Sequence, residues 1–375
     1  MEYLAISTPS TKTSTADAPA WLSNVSCSQP FRIYRWAVKA QSAAVNATRQ
    51  KSDCSFIHHN SPALLSAVIP KRRYGLLGDN RPMRFYWMAL FVLPLFGGAA
   101  ELQIDHVTVA GRDLKRMQAA LSAVGILSQT GGQHTNHATE MALTSFPDGS
   151  YLELIAIQPN ADPAAVKTQP WAKFLQSDAG PCAWAVRTAD VSAEVKRLKT
   201  AGIQTGDAQP SGRQRPDGFR LEWETVQIGP DPRGSFFPFL IHDFTPRRKR
   251  AYPAGKPAAK DFSGVIRVVI AVRDLDEGVK RFQQAYGIPK PIKQVDAAFG
   301  AHLALLGGTP VILAAPSTQS SWLAERLDQF GEAPCAIVLG ARNPGRYRAP
   351  SKTRWFGRDV SWLDTEKLGW KLGFE

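Results

Sequence analysis

The 375-residue sequence contains few cysteines, few acidic side chains and no long apolar segment. Its four cysteines include no Cys-x-x-Cys pair, which argues against a zinc-ribbon or thioredoxin-type site. No apolar run reaches the roughly 20 residues that a membrane-spanning helix needs, so no stable membrane span is expected. The Gly-x-Ser-x-Gly motif of serine hydrolases is also missing. We therefore do not expect a nucleophilic catalytic site, a zinc-ribbon site or a multi-span membrane protein.

The net charge of +13 is unevenly distributed. Residues 1–100 carry 11 Lys or Arg against 4 Asp or Glu, and the longer remainder has only a mild basic excess. A nucleic-acid-binding protein usually concentrates basic residues on one element together with aromatic residues. The one dense basic run after residue 100, at 247–250, precedes a polar, Pro-containing stretch and is interpreted as part of a solvated linker. No nucleic-acid partner is expected.

The first hundred residues combine two different kinds of sequence. Residues 1–82 are rich in Ser, Ala and Thr and lack a sustained apolar period, which indicates a disordered or non-native N-terminal extension. Residues 83–100 begin with Met83 and Arg84, continue with an apolar run at 85–96, and end in Gly-Gly-Ala-Ala. This order is typical of a secretory signal peptide.

A signal peptide belongs at the start of a protein, so the sequence predicts that translation begins at Met83. Cleavage after Ala100 would then deliver the protein to the periplasm or the outside of the cell. A buried apolar segment and an organellar transit sequence are the alternatives for the same residues.

Internal repetition is the strongest signal after residue 100. Three segments share an apolar strand, an Asp that opens a helix, and a Gly-Ile pair about twelve residues later; their helix-opening residues are Asp113, Asp190 and Asp274. An Asp at this place caps a helix through its side chain, and a Gly ends it in a left-handed conformation. Further strand-like segments follow each helix.

A fourth copy begins at Pro334-Cys335 and echoes Pro181-Cys182, but its helix is missing or replaced by a short segment at 343–346. The similar offsets between copies one and three and between copies two and four indicate a duplicated pair. The sequence therefore predicts an α+β fold: tandem βαβββ units, paired into curled mixed sheets with helices outside. The first pair spans 101–247, a linker spans 248–261, and a degenerate second pair spans 262–375.

Several motifs in the first pair resemble a known superfamily. They are Asp-His-Val-Thr-Val at 105–109, Gly-Gly-Gln-His at 131–134, Tyr-Leu-Glu-Leu-Ile-Ala at 151–156, Gly-Phe-Arg-Leu-Glu-Trp at 218–223 and Pro-Phe-Leu-Ile at 238–241. Together they resemble the vicinal oxygen chelate superfamily, and within it the glyoxalase-like domain family. The resemblance is good over about 102–247 and loose over 262–375. It implies a cup that holds a divalent metal through ligands on the first and last strands of each unit.

Strand periodicity places two side chains on the cup face, because alternate residues of a strand face opposite sides. His106 lies opposite the face of Val107 and Val109, and Glu153 opposite that of Leu152 and Leu154. The resemblance makes these two residues the ligand positions of the unit. His134 matches the second-strand motif and is the third expected contact, chosen over His137 and His242. A site of two His and one carboxylate suits Zn, Fe, Mn or Ni.

The partner units do not supply the remaining ligands. Ala183 stands at the position of His106, and Phe239 at that of Glu153. In the third unit, Arg267 replaces the His and Pro310 or Ile312 the Glu. Half of the usual ligand set is thus lost, and a metal-free acid/base pair of His106 and Glu153 stays open as an alternative.

Three functions remain open on this evidence. The first is an exported enzyme for a small molecule, with lyase, isomerase or dioxygenase-like chemistry, in which His106 and Glu153 are catalytic. The second is a metal-free protein that binds or sequesters a small molecule. The third is a structural or interaction role for the second pair of units. The fold alone does not choose among them.

Overall fold

The structure is a computed structural model and describes residues 102–230 and 232–375. The expected N-terminal extension at 1–82 and the expected signal peptide at 83–100 lie outside these residues. Within them, no helix combines the length and the apolar character needed to cross a membrane.

The first two repeats have the predicted order of strand, helix and three strands. The first unit comprises β1 (Ile104–Ala110), α1 (Leu114–Ala123), β2 (Gln129–His134), β3 (Thr139–Ser145) and β4 (Tyr151–Ile157). Two short helices, α2 (Pro163–Lys167) and α3 (Ala172–Gln176), lead to the second unit. That unit comprises β5 (Gly180–Arg187), α4 (Val191–Thr200), β6 (Gln209–Gln214), β7 (Arg220–Val226) and β8 (Phe239–Asp243), and the short helix α5 (Arg247–Ala251) follows it.

The second pair repeats this order with one reduced helix. Its first unit comprises β9 (Phe262–Ala271), α6 (Leu275–Tyr286), β10 (Ile292–Asp296), β11 (Ala301–Leu305) and β12 (Val311–Pro316), and α7 (Trp322–Phe330) follows. Its second unit comprises β13 (Pro334–Ala341), β14 (Ser351–Trp355), β15 (Arg358–Trp362), α8 (Thr365–Leu368) and β16 (Lys371–Phe374). A single 3-10 turn, Pro344–Arg346, stands where the helix of this last unit would be. The predicted fold class is confirmed.

The three full helices begin and end as the repeat pattern predicts. The side chains of Asp113, Asp190 and Asp274 each accept a hydrogen bond from a backbone N–H in the first turn of α1, α4 and α6. Gly125, Gly202 and Gly287 follow these helices with φ between 62° and 84°. Side-chain capping therefore sets the start of each helix, and a left-handed glycine sets its end.

The two pairs close to different degrees. The first forms a closed barrel in the order β1-β4-β3-β2-β6-β7-β8-β5, and the second an eight-stranded sheet in the order β10-β11-β12-β9-β13-β16-β15-β14. The edge strands β10 and β14 of the second sheet are linked by the Gln294 side chain. Its Nε2 donates to the Arg354 carbonyl (2.6 Å), and its Oε1 accepts from the Phe356 N–H (2.7 Å).

The barrel wall separates an apolar outer layer from an inner face that carries the polar side chains. Val107 and Leu152 are completely buried on the outer side and belong to the same core cluster as Leu121 of α1. His106 and Glu153, one residue away on the same strands, point to the interior. The alternation expected from the strand period holds on both strands.

The Gly131-Gly132 pair lies inside β2. The β2–β3 register shifts between Thr130 and Gly132, which marks a β-bulge, and Gly132 has φ of 103°. A Cβ at Gly132 would lie 2.2 Å from the Gln214 carbonyl oxygen. Glycine is needed here because β6 approaches the bulged backbone too closely for any side chain.

Candidate functional site in the barrel

The barrel brings the three predicted site residues together. Glu153 lies between two imidazoles, with its Oε2 3.5 Å from His106 Nε2 and its Oε1 3.4 Å from His134 Nε2. His106 comes from β1, Glu153 from the adjacent parallel strand β4, and His134 from the last position of β2. His106 and Glu153 are only 4% and 7% exposed, so their contact is shielded from water.

The second ring nitrogen of each imidazole, Nδ1, contacts a polar side chain. His106 Nδ1 lies 2.6 Å from Asp105 Oδ1, and His134 Nδ1 lies 2.9 Å from Thr139 Oγ1. Neighbouring residues of a strand normally face opposite sides, so Asp105 was not expected beside His106. The register of β1 on β5 shifts between Ile104 and His106, and this β-bulge turns the Asp105 side chain toward the ring.

The contact between His106 Nδ1 and Asp105 determines which ring nitrogen of His106 carries the proton. Since a carboxylate only accepts hydrogen bonds, we assign the proton of the neutral ring to Nδ1, and Nε2 then carries a lone pair. Glu153 Oε2, which faces that lone pair, is also an acceptor and already receives a hydrogen bond from Thr108 Oγ1 (2.9 Å). Two facing acceptors cannot hydrogen-bond to each other, so a proton donor or a cation that contacts both would stabilise the arrangement.

Asp105 is in turn held by arginines of α5. Arg250 donates from both terminal nitrogens to the two oxygens of Asp105, each at 2.9 Å, and Nη2 also donates to Asp243 Oδ2 (2.8 Å). Arg247 forms a second ion pair with Asp105. The prediction of a solvated basic run is wrong for Arg250, which is only 1% exposed. Its two carboxylate partners explain why this charge is buried rather than solvated.

The interior around these groups is a small cavity with aromatic and cationic walls. Its volume is 70 Å³, room for a few water-sized groups. Aromatic side chains form part of the wall, namely those of Tyr151, Trp171, Trp223 and Phe239. Three arginines, Arg213, Arg233 and Arg250, and one carboxylate, Glu153, also line it. Arg250 is neutralised by Asp105 and Asp243, whereas Arg213 donates to the backbone carbonyls of Gly131 and Arg250, so the charge of Arg213 can attract an anionic group.

Burial and neighbouring charges set the protonation of the central pair. Burial lowers the pKa of His106 to about 4, so the ring is neutral at pH 7. Burial raises the pKa of Glu153, but the neighbouring His106, hydrogen bonds from His134 and Thr108, and the charge of His134 together bring it down to about 2. The site therefore presents an ionised carboxylate next to a neutral imidazole.

In the second unit, the two positions that correspond to His106 and Glu153 are apolar, as the sequence indicated. Ala183 and Phe239, at the positions that correspond to His106 and Glu153, belong to an apolar cluster of the interior. Within residues 102–230 and 232–375, no three His, Cys, Asp or Glu side chains form a group that could hold a metal ion. His106 and His134 contact different oxygens of Glu153 instead of converging on one point. As arranged, this donor set does not fit a metal ion.

Several site residues were not found from the sequence. Thr108 and Tyr151 each lie two residues from a predicted site residue, so the strand period could have indicated them. Asp105 depends on the bulge, and Arg250 depends on the position of α5, for which the sequence gives no signal. The cavity residues Arg213 and Arg233 follow no motif either.

Comparisons with known proteins agree with this architecture. Residues 104–264 match the family model described as a glyoxalase-like domain. No curated protein shows significant sequence similarity to the chain. Among solved structures, a hypothetical protein from Staphylococcus aureus is 14% identical, with 73% of this chain and 99% of that chain covered and a TM-score of 0.52.

Two smaller structures also match one part of the chain. Methylmalonyl-CoA epimerase from Mycobacterium tuberculosis is 18% identical over 32% of this chain and 91% of its own, with a TM-score of 0.29. A variant of the same enzyme from Streptomyces coelicolor is 20% identical over 29% and 94%, with a TM-score of 0.26. At 14% identity, the likeness to the Staphylococcus aureus protein concerns the fold alone.

Proposed function

From the premise that residues 104–264 form a glyoxalase-like domain of the vicinal oxygen chelate superfamily, we propose that the barrel is the active site of an isomerase or lyase. Its substrate is a small anionic metabolite with a carbonyl or hydroxyl oxygen. The observation that carries the proposal is the pair of acceptors, His106 Nε2 and Glu153 Oε2, which face each other at 3.5 Å inside a cavity lined by arginines and aromatic rings.

Substrate binding follows from the charges of the wall. The Arg213 guanidinium, which donates to two backbone carbonyls, lines a space shielded by aromatic rings, and electrostatic attraction is stronger there than in water. The substrate's carboxylate or enolate oxygen would lie among the arginines. The aromatic walls would exclude water and hold the carbon skeleton in one orientation.

Proton transfer follows from the two facing acceptors. A substrate O–H, or a C–H next to a carbonyl, would lie between them, and His106 Nε2 would take the proton as general base. Asp105 holds the ring through Nδ1 and, with Glu153, stabilises the imidazolium that results. Return of the same proton to another atom of the substrate completes an isomerisation without any change of oxidation state.

The proposal is tested by deuterium exchange. We expect the protein to exchange the proton next to the carbonyl in at least one member of a panel of short-chain 2-oxo and 2-hydroxy acids in D₂O, followed by proton NMR. Glu153→Gln removes the carboxylate charge that faces His106 and should slow that exchange about 100-fold. Glu140→Gln, on β3 outside the cavity lining, is the matched control and should exchange at the wild-type rate. Equal rates in both variants contradict the proposal.

A divalent metal centre is the second candidate, favoured by one observation. The outer nitrogens of both His106 and His134 are held by polar partners, an arrangement that orients metal-bound imidazoles in proteins. His106, His134 and Glu153 would move from their present mutual contacts to hold Zn, Fe, Mn or Ni.

Elemental analysis separates the two candidates. Protein purified without chelator should contain about one metal per chain if the second candidate is right, and His106→Ala should then abolish stoichiometric metal. Metal content well below one per chain, together with deuterium exchange, supports the metal-free reaction instead.

A metal-free binding or sequestering protein remains the alternative to an enzyme. The apolar residues Ala183 and Phe239 in place of a second ligand pair favour it. Such a protein would bind an acid of the panel without exchanging its proton. Export to the periplasm or the outside of the cell stays a prediction that rests on residues 83–100 alone.

A further inference from the structure

A second and larger cavity lies where the barrel meets the second sheet. Its volume is 360 Å³, within the range of about 300–1,000 Å³ typical of small-molecule sites. The end of α3 and the following loop (177–179) line it on the barrel side, and α7, β13 and the α8–β16 segment line it on the other. It shares no lining residue with the barrel cavity.

Aromatic side chains form much of its wall. Trp322 and Phe330, at the two ends of α7, line it together with Trp370. Trp370 packs against the backbone of Gly180 at the start of β5, where a Cβ would lie 2.5 Å from the Trp370 Cβ. Cys335 also lines the cavity, and burial raises the pKa of its thiol to about 12, so it is a neutral, apolar part of the wall.

Two positive charges line the same space. The Lys371 ammonium lies 4.7 Å from the ring centre of Trp322 and 5.5 Å from that of Phe299. Within the described part of the chain it has no carboxylate within ion-pair distance. The Arg326 guanidinium donates to the carbonyls of Ala179, Pro181 and Pro334, and these partners carry no negative charge to balance it.

The acidic groups of the lining do not neutralise these charges. Asp178 pairs with Arg112, whose Nε lies 2.8 Å from Asp178 Oδ2, and also accepts from the Arg112 backbone N–H. Glu325 is exposed at the first turn of α7. Lys371 is half-buried, so an uncompensated charge there costs free energy that a bound anion would offset.

We propose that this cavity is a second ligand site, which binds an aromatic carboxylic acid with its carboxylate at Lys371 and its ring among Trp322, Phe330 and Trp370. The composition of the lining carries the proposal: a half-buried ammonium group and several aromatic rings line one cavity, and together they select a ligand with one negative end and one apolar end. Arg326 adds attraction for the carboxylate without direct contact.

The experiment uses the full chain and benzoate as the probe, with binding measured by calorimetry. We expect benzoate to bind at least tenfold more tightly than benzamide, its neutral analogue of the same shape. Lys371→Met keeps the apolar stem and should weaken benzoate at least tenfold. Lys352→Met, at an exposed position on β14 outside the cavity, is the matched control and should bind as the wild type does.

Lys371→Arg keeps the positive charge and should retain benzoate binding within a few-fold, which separates loss of the charge from damage to the fold. Equal affinity for benzoate and benzamide, or unchanged benzoate binding in Lys371→Met, would overturn the proposal. Benzoate binding lost equally in Lys371→Arg and Lys371→Met would also overturn it, because the charge would then not be what selects the ligand.

Discussion

Replacing Arg250 with Met is expected to lower the free energy of unfolding by about 3–5 kcal/mol at pH 7. Arg250 hydrogen-bonds both to the buried carboxylate of Asp105 (2.9 Å) and to the half-buried carboxylate of Asp243 (2.8 Å). Its removal leaves Asp105, which is completely buried, with a single guanidinium, that of Arg247. Urea unfolding followed by circular dichroism measures the loss.

The chain provides its own control for this change. Arg248 lies two residues earlier in the same basic run and is exposed, so Arg248→Met should change the free energy of unfolding by less than about 0.5 kcal/mol. The two variants remove the same charge from the same helix. If they unfold at the same urea concentration, the buried network does not stabilise the barrel and its role is limited to holding His106.

The second large effect is a loss of stability at acidic pH. Because burial lowers the pKa of His106 from 6.5 to about 4, the unfolded chain binds a proton between these pH values that the folded chain does not. The free energy of unfolding should therefore fall as the pH drops from 6.5 to 4, by roughly 3 kcal/mol from this group. His106→Asn should flatten that limb of the stability curve.

Protonation of Glu153 also lowers the free energy of unfolding, but at lower pH than protonation of His106 does. Its pKa in the folded protein is about 2, against 4.5 for the free side chain, so its contribution is complete above 4.5 and is lost as the pH falls toward 2. His137→Asn is the control for His106, since His137 is exposed and Asn tolerates its positive φ of 56°. A stability curve of His106→Asn that stays parallel to that of His137→Asn between pH 6.5 and 4.5 would contradict the assignment.

The repeated pattern predicted most of the fold because each unit carries its own local signals. Asp113, Asp190 and Asp274 cap their helices through contacts within four residues, and such contacts are visible in a sequence. Strand alternation likewise placed His106 and Glu153 on one face, and the structure puts their side chains 3.5 Å apart. Their proposed chemical roles remain predictions.

What the sequence did not reveal depends on long-range placement. Asp105 reaches His106 only because β1 is bulged against β5, a strand that begins some 75 residues later. Arg250 lies in a charge run that would be solvated almost anywhere else, and it is buried because α5 places it against two carboxylates on different strands. Neither fact follows from periodicity or composition.

The Gln294 bridge affects which substitutions each half of the structure can accept without opening. A closed ladder of backbone hydrogen bonds does not depend on which side chains it carries, so the barrel can change its interior residues and stay closed. The second sheet is joined at β10 and β14 through side chains instead: besides the two Gln294 contacts, Asp296 Oδ2 accepts a hydrogen bond from Trp355 Nε1 (2.7 Å). The half that carries the polar site is thus closed by backbone pairing, whereas the edges of the other half meet through the side chains of Gln294, Asp296 and Trp355.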